Sequence, residues 1–217
     1  MTKRKFYRLL FIGLLAPFVI LIGLFFYHSS YSNIFEQMYF DEYHSATGIF
    51  RHYSTLRGLP DVKDARVPGP LEPGLNMDII SEEYDETKLP QDIKHIGVSF
   101  YYPDYKTENG NLIIGISKTL DNNHSLTALY HYNHKQKTLT HELILESDGE
   151  DSYDKEEIAS QLTSYGMTLE DAYKATDTIL KGKLLKDWTQ NYWSWHSPDN
   201  WGDVKRLQKQ REPEEIP

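Results

Sequence analysis

The sequence predicts an α+β fold: an antiparallel β-meander of four to five strands packed with an N-terminal helix and a C-terminal αα-hairpin, preceded by one transmembrane helix. Three observations carry this. No charge interrupts the chain between Arg8 and Glu36, and Leu9 to Tyr27 is almost wholly aliphatic or aromatic. From about Asp78 to Glu146 apolar residues recur at period two, the signature of half-buried strands. After Asp154 the period returns to three and four, as on one face of a helix.

The first segment sets the topology. A bilayer core needs roughly 20 apolar helical residues to cross it, and residues 9–28 supply that length. Gly13, Pro17 and Gly23 are tolerated in such a helix because neighbouring groups re-satisfy a freed carbonyl. Lys3, Arg4, Lys5 and Arg8 crowd residues 1–8, and the positive-inside bias holds that side in the cytoplasm. A cleaved secretory signal is the competing reading. Its apolar run is usually about 7 to 15 residues and ends in small residues, whereas Phe25, Phe26, Tyr27 and His28 stand here, with Ser29, Ser30 and Ser32 beyond. An uncleaved anchor is expected, in the cell membrane as a single pass, with the remainder outside.

That remainder is acidic. The chain has 23 basic and 32 acidic residues; without the four bases before the anchor, 19 face 32, a balance of −13. Nucleic acid and anionic headgroups are disfavoured as partners, and a basic protein surface is favoured. The absence of cysteine excludes disulfides, thiol chemistry and lipoprotein attachment, which suits a Gram-positive bacterial surface. One domain over 29–208 is expected, with 209–217 as a polar tail.

Within that domain Ser32 to about Tyr53 reads as a helix, with Phe35, Met38 or Tyr39, Ala46, Ile49 and Tyr53 at helical spacing, able to continue the anchor outward. Its aromatic residues are expected to pack on the sheet rather than form an interfacial belt or ligand platform. Gly58 to Asn76, with Pro60, Pro68, Pro70 and Pro73, is a surface crossing. A first strand is expected near Met77 to Tyr84. Ile96, Val98 and Phe100 then share one face, as do Leu112, Ile114 and Ile116. Asn109-Gly110 has the form of a type I′ turn, but pairing Glu108 with Asn111 would turn the apolar sets to opposite faces; an odd-length loop with Gly110 at a bulge keeps them together. Around Lys135 and Gln136 an even loop aligns Leu126, Ala128, Tyr130 and Tyr132 with Leu145, Leu143, His141 and Leu139. Asp154 and Glu157 resemble a capping box, Gly166 suits a helix C′ position, and Thr168 caps a second helix bearing Leu169, Tyr173, Leu180, Leu184 and Trp188. Lys205 to Pro217 shows no core-forming pattern.

Chemistry-bearing motifs are scarce. His124, His131, His134 and His141 cluster in sequence, but the hairpin register sends His131 and His141 to opposite faces, against the convergence zinc requires. The acids from Asp148 to Asp154 lack calcium-loop spacing, since Gly149 follows the first acid directly. There is no G-x-S-x-G, H-E-x-x-H or G-x-x-x-x-G-K-[ST]. No catalytic residue, metal ligand or cofactor is nominated. Trp188, Trp193, Trp195 and Trp201 are expected to pack the C-terminal end rather than stack on sugars. The partner-binding candidates are Asp148, Glu150, Asp151, Tyr101, His131 and Glu142, on the acidic segment and the sheet's outer face.

Asn33-Ile34-Phe35, Tyr39-Phe40-Asp41-Glu42, Tyr165-Gly166-Met167-Thr168, Leu185-Lys186-Asp187-Trp188 and Asp199-Asn200-Trp201-Gly202-Asp203 together resemble the TipC family of immunity proteins over nearly the whole chain. The tail after Val204 is longer than that pattern. The resemblance implies an anchored, outward-facing protein that binds and blocks, without catalysis, the C-terminal toxin domain of an LXG-class toxin exported by the type VII (Esx) pathway, one attacking lipid II. It carries over no catalytic residue. Other classes are an anchored enzyme or ligand sensor acting on wall components, which requires a deep pocket with convergent polar groups, and a structural envelope subunit.

Overall fold

The computed structural model describes residues 3–29, 31–47, 59–63, 79–101, 111–147, 149–192, 194 and 196–206; for 3–4, 6–12, 27–29, 42–47, 79–82 and 101 it describes the backbone alone. The chain divides into two units, Met1–Ser32 and Asn33–Pro217. In the first, α1 (Lys3–Ser29) runs 27 residues and passes Pro17 without ending. Its side chains Phe18, Val19 and Phe26 are 64%, 64% and 67% exposed. Among the described residues no helix is long and apolar enough to cross a membrane; in α1 the described side chains are Lys5 and 13–26.

The second unit begins afresh rather than continuing α1. The Asn33 side-chain oxygen accepts the Glu36 amide at 2.9 Å, satisfying an orphan donor of α2 (Ile34–Thr47). Residues 48–53 of the expected helix lie outside the described residues. Next come β1 (Ile79–Glu83), β2 (Ile93–Tyr101), β3 (Asn111–Thr119), β4 (His124–Asn133), β5 (Thr138–Ser147) and β6 (Glu150–Ser152), antiparallel neighbours in chain order. The helices α3 (Lys155–Ser164), α4 (Leu169–Leu180) and α5 (Lys186–Asn191) follow, and β7 (Asp203–Arg206) pairs in parallel with β5.

The expected hairpin registers hold. Tyr130 pairs with His141 and Leu126 with Leu145, while Tyr101 pairs with Asn111 across an odd loop, 102–110, that lies outside the described residues. The expectation of four to five antiparallel strands is corrected to seven strands among the described residues, in a mixed sheet with one parallel pair. β6 and β7 divide the far edge of β5 between them, at Leu145–Ser147 and Thr138–His141 respectively. The polar segment from Lys205 therefore begins inside a strand. A bulge in β2 inserts Lys94 between the pairs Ile93–Lys118 and His95–Ser117. This shifts Ile93, 5% exposed, onto the face of Ile96, Val98 and Phe100.

That face is the core. Phe35 and Tyr39 of α2 contact Tyr132 at ring distances of 6.3 and 6.4 Å, so these two pack on the sheet as expected, while the side chains of Tyr43, Phe50 and Tyr53 lie outside the described residues. Ile158 and Leu162 of α3 and Ala172 and Leu180 of α4 are wholly buried in the same cluster. Between α4 and α5 a single π-helical turn, Lys181–Leu185, adds a residue so that both Leu184 and Leu185 turn inward. Trp188 and Trp201 are buried; Trp193 and Trp195 lie outside the described residues.

The caps follow the sequence, with one difference. Asp154 accepts from the Glu156 and Glu157 amides, but Glu157 turns to the Ser152 hydroxyl instead of closing the box. Thr168 and Asp171 form a complete box on α4. Gly166, at φ +67°, ends α3: its amide donates to the Thr163 carbonyl at 2.9 Å and the Met167 amide to Leu162 at 3.0 Å. Gly166→Ala is therefore expected to lower stability by about 1 kcal/mol, because nothing but the left-handed backbone opposes the methyl group. Urea midpoints of the two proteins check this.

Candidate functional site

The motif residues assemble a clasp. The Ile34 amide donates to the Asn200 carbonyl at 3.1 Å. The Trp201 ring stands edge-on to Phe35 at 5.8 Å and to Tyr130 at 5.9 Å. Gly202, at φ +70°, lies so close to the Asn33 side chain that a Cβ would fall 2.7 Å from its nitrogen. The Ser194 hydroxyl donates to Gln37 at 2.8 Å, and Lys137 reaches the buried Glu36 carboxylate at 3.0 Å. Farther along, the Tyr84 hydroxyl donates to Asp187 at 3.1 Å, and Lys183 lies 3.2 Å from Asp187 and 2.9 Å from Asp61. Burial first, then the Asp187 charge, pushes the Tyr84 phenol far up. These residues hold the two ends of the second unit together, which explains motifs made of structural residues.

A histidine–carboxylate–phenol set lies beneath the sheet. Tyr130 donates to Asp177 at 2.9 Å and stacks on His141 at 4.0 Å. The His141 Nδ1 is 3.2 Å from Asp177 but without hydrogen-bond alignment, and burial holds the imidazole pKa below its ordinary value. We therefore read this as a neutral histidine beside a carboxylate, not an ion pair. His141 is 0% exposed, sealed from any ligand in solution. Arg206 of β7 reaches Glu170 and, at 3.6 Å, Asp177, with its guanidinium over the Tyr173 ring.

His131 faces the opposite side of the sheet from His141, as the register demands. His134 stacks on Tyr39 at 4.5 Å and His124 lies 2.9 Å from Asp121. Among the described residues no three His, Asp or Glu side chains are placed to hold a metal.

The outer face carries the partner-binding candidates. His131 is opposite Thr140, and Glu142 opposite Leu129; strand alternation puts both on this face with Asp151, which pairs with Glu146. Glu150, opposite Ser147, alternates to the helix side, so the two exposed acids of β6 diverge. The backbone of Tyr101 pairs with Asn111 at the end of β2, and Asp148 lies outside the described residues. Among the residues whose side chains are described, Ile113, Leu129 and Ile144, which were not nominated, are apolar positions on this face. Period two alone places them there; Ile113 and Leu129 are half-buried and Ile144 is 7% exposed, so they form a shielded apolar row among the polar side chains.

Charge is uneven. Lys94 reaches Glu146 at 3.4 Å, and the Ser125 hydroxyl donates to the same carboxylate at 2.6 Å, together lowering its pKa. Glu142 has no ion pair among the described residues, and its Oε1 is shielded without a hydrogen-bond donor. The Tyr153 phenol is raised by burial and then by Asp151 and Glu142, which places an acidic corner at the β5–β6 end of the face.

TipC2 from Streptococcus intermedius B196 superposes with a TM-score of 0.65 at 24% identity, covering 82% of this chain and 98% of that one, and so shares its fold. No curated protein matches the chain. Residues 7–209 match the family described as TipC immunity protein-like, a span that contains every element of the clasp and the whole sheet. With a match of that extent, the chain belongs to the TipC immunity protein-like family.

Proposed function

We propose that this chain is a membrane-anchored, extracytoplasmic immunity protein that binds the C-terminal domain of an exported LXG-class toxin attacking lipid II and blocks it by occlusion, without catalysis. The observation that carries the reading is the division of labour in the second unit. Its family-like motifs are spent on the clasp, while the outer face offers Ile113, Leu129 and Ile144 rimmed by His131, Glu142 and Asp151. An apolar row inside a charged rim is the usual layout of a protein-binding surface. The acidic excess of the chain, 32 against 23, favours a basic partner and fast association.

The anchoring part of the reading rests on the sequence: residues 9–28 are apolar for about the length a bilayer core requires, and four bases precede them. Because the chain has no cysteine, one introduced at exposed Glu157 reports topology without background. Labelling of that cysteine by a membrane-impermeant maleimide in intact cells is expected; protection until lysis would refute the outward orientation. The function itself is tested by directing LXG toxin domains outside the membrane with and without this chain. Survival restored against one of them is expected, and equal killing throughout removes the reading.

A further inference from the structure

Among the described residues, three polar atoms of the outer face have no hydrogen-bond partner. Asn111 Oδ1 on β3, His131 Nε2 on β4 and Glu142 Oε1 on β5 are each shielded from solvent with no hydrogen bond among the described residues. They follow one diagonal. Asn111 pairs with Asn133, two residues from His131, which pairs with Thr140, two residues from Glu142. Shielded groups of this kind are unfavourable unless something supplies the missing bond. Two of the three are acceptors only, one of them a carboxylate beside Leu129 and the other acids of the corner. Burial lowers the His131 pKa, so its imidazole adds no positive charge at neutral pH. Of the bases on this face, Lys94 is already engaged by Glu146, and Lys205 of β7, opposite Thr140, is exposed and makes no ion pair with Glu142 among the described residues.

Resting on the immunity reading, we infer that Glu142 is the position that reads the partner's charge: a lysine or arginine side chain of the bound toxin domain donates its N–H groups to the shielded Glu142 carboxylate. The apolar row of Ile113, Leu129 and Ile144 excludes water around it, which is what makes one such pair decide between toxins. A carboxylate kept uncompensated in the free protein opposes stability and favours binding, and that combination separates this role from a structural one.

The test uses the full-length chain in detergent and the toxin domain against which it protects cells. Glu142→Gln is expected to weaken binding about tenfold or more at low salt and to flatten the salt dependence, while its thermal midpoint stays level or rises. Glu86→Gln, on the short turn between β1 and β2, is expected to change affinity less than about twofold. Unchanged affinity and salt slope in Glu142→Gln overturn the inference and leave the immunity reading standing; a natural chain that binds no toxin domain removes both. Should Glu142→Gln melt lower, a charge swap decides. Glu142→Lys must lose the natural toxin and regain one whose contacting cation is replaced by glutamate, and failure to regain it overturns the inference.

Discussion

Truncating Trp201 to alanine is expected to lower the stability of the second unit by about 3–5 kcal/mol, the range for a buried tryptophan, and to release the C-terminal strand with it. The ring is 7% exposed, wedged against Phe35 and Tyr130, with the Lys181 ammonium 4.9 Å above it and its N–H donating to the Pro198 carbonyl. Phe35 and Tyr130 are held by the first turn of α2 and by the sheet, so the space left behind closes only in part. Gly202→Ala acts on the same clasp by another route. It forces an L side chain into φ +70° and drives a methyl group to 2.7 Å from the Asn33 nitrogen, disturbing the cap of α2; about 2–4 kcal/mol is expected for strain plus a weakened cap. Urea unfolding should thus rank Trp201→Ala and Gly202→Ala well below Gly166→Ala, whose methyl meets open space. A double variant of Trp201 and Phe35 should cost less than the sum of its parts, since the two rings share one contact. If Trp201→Ala loses less than about 1 kcal/mol, the clasp is not part of the cooperative unit, and the family motifs need another explanation.

The clasp also shows where sequence reasoning reached and where it stopped. The β4–β5 register follows from parity alone, because a slip by one residue would turn Leu126, Ala128, Tyr130 and Tyr132 away from the core. The same argument excluded the tempting Asn109-Gly110 turn. Caps were readable because Thr168, Asp154 and Gly166 act within a few residues of themselves. β7 was not readable: Asp203, Val204, Lys205 and Arg206 are all exposed, so no alternation marks them. Their strand exists because Trp201 anchors one end and Arg206 the other, over contacts spanning more than a hundred residues of chain in the case of Phe35. β6, three residues long, is too short for any period to register. The candidate face was predicted as a face; its internal order was not, since separating Asp151 from Glu150 requires knowing that both sit on a strand paired with β5.

Acid sensitivity is the second large effect expected, and its window identifies the group responsible. Burial depresses the His141 pKa below its ordinary 6.5 in the folded protein, and partly buried His131 shifts the same way. The unfolded chain therefore binds these protons first. Stability from keeping the imidazoles neutral is fully present above about 6.5 and is lost as pH falls from there toward the folded-state values, at up to about 1.4 kcal/mol per pH unit for each proton. Carboxylates cannot produce a loss in that range. Asp121, Asp171 and Glu146 are all held below their ordinary values by hydrogen bonds, so their contribution disappears only as pH drops below about 4. The charged and polar groups around His141 are Asp177, Thr176 and Arg206, with Tyr130 and Tyr173 against its ring. Asp177 opposes the shift and Arg206 reinforces it, but burial is the largest cause. His141→Phe keeps an aromatic ring between Tyr130 and Tyr173 while removing the titration. It is expected to flatten most of the stability loss between pH 6.5 and 5, leaving the His131 share and the steeper fall below 4. A natural profile that is level from pH 7 to 5, or one unchanged in His141→Phe, would show that His141 takes up its proton inside the folded core and, as an imidazolium, donates to the Asp177 carboxylate in a true ion pair.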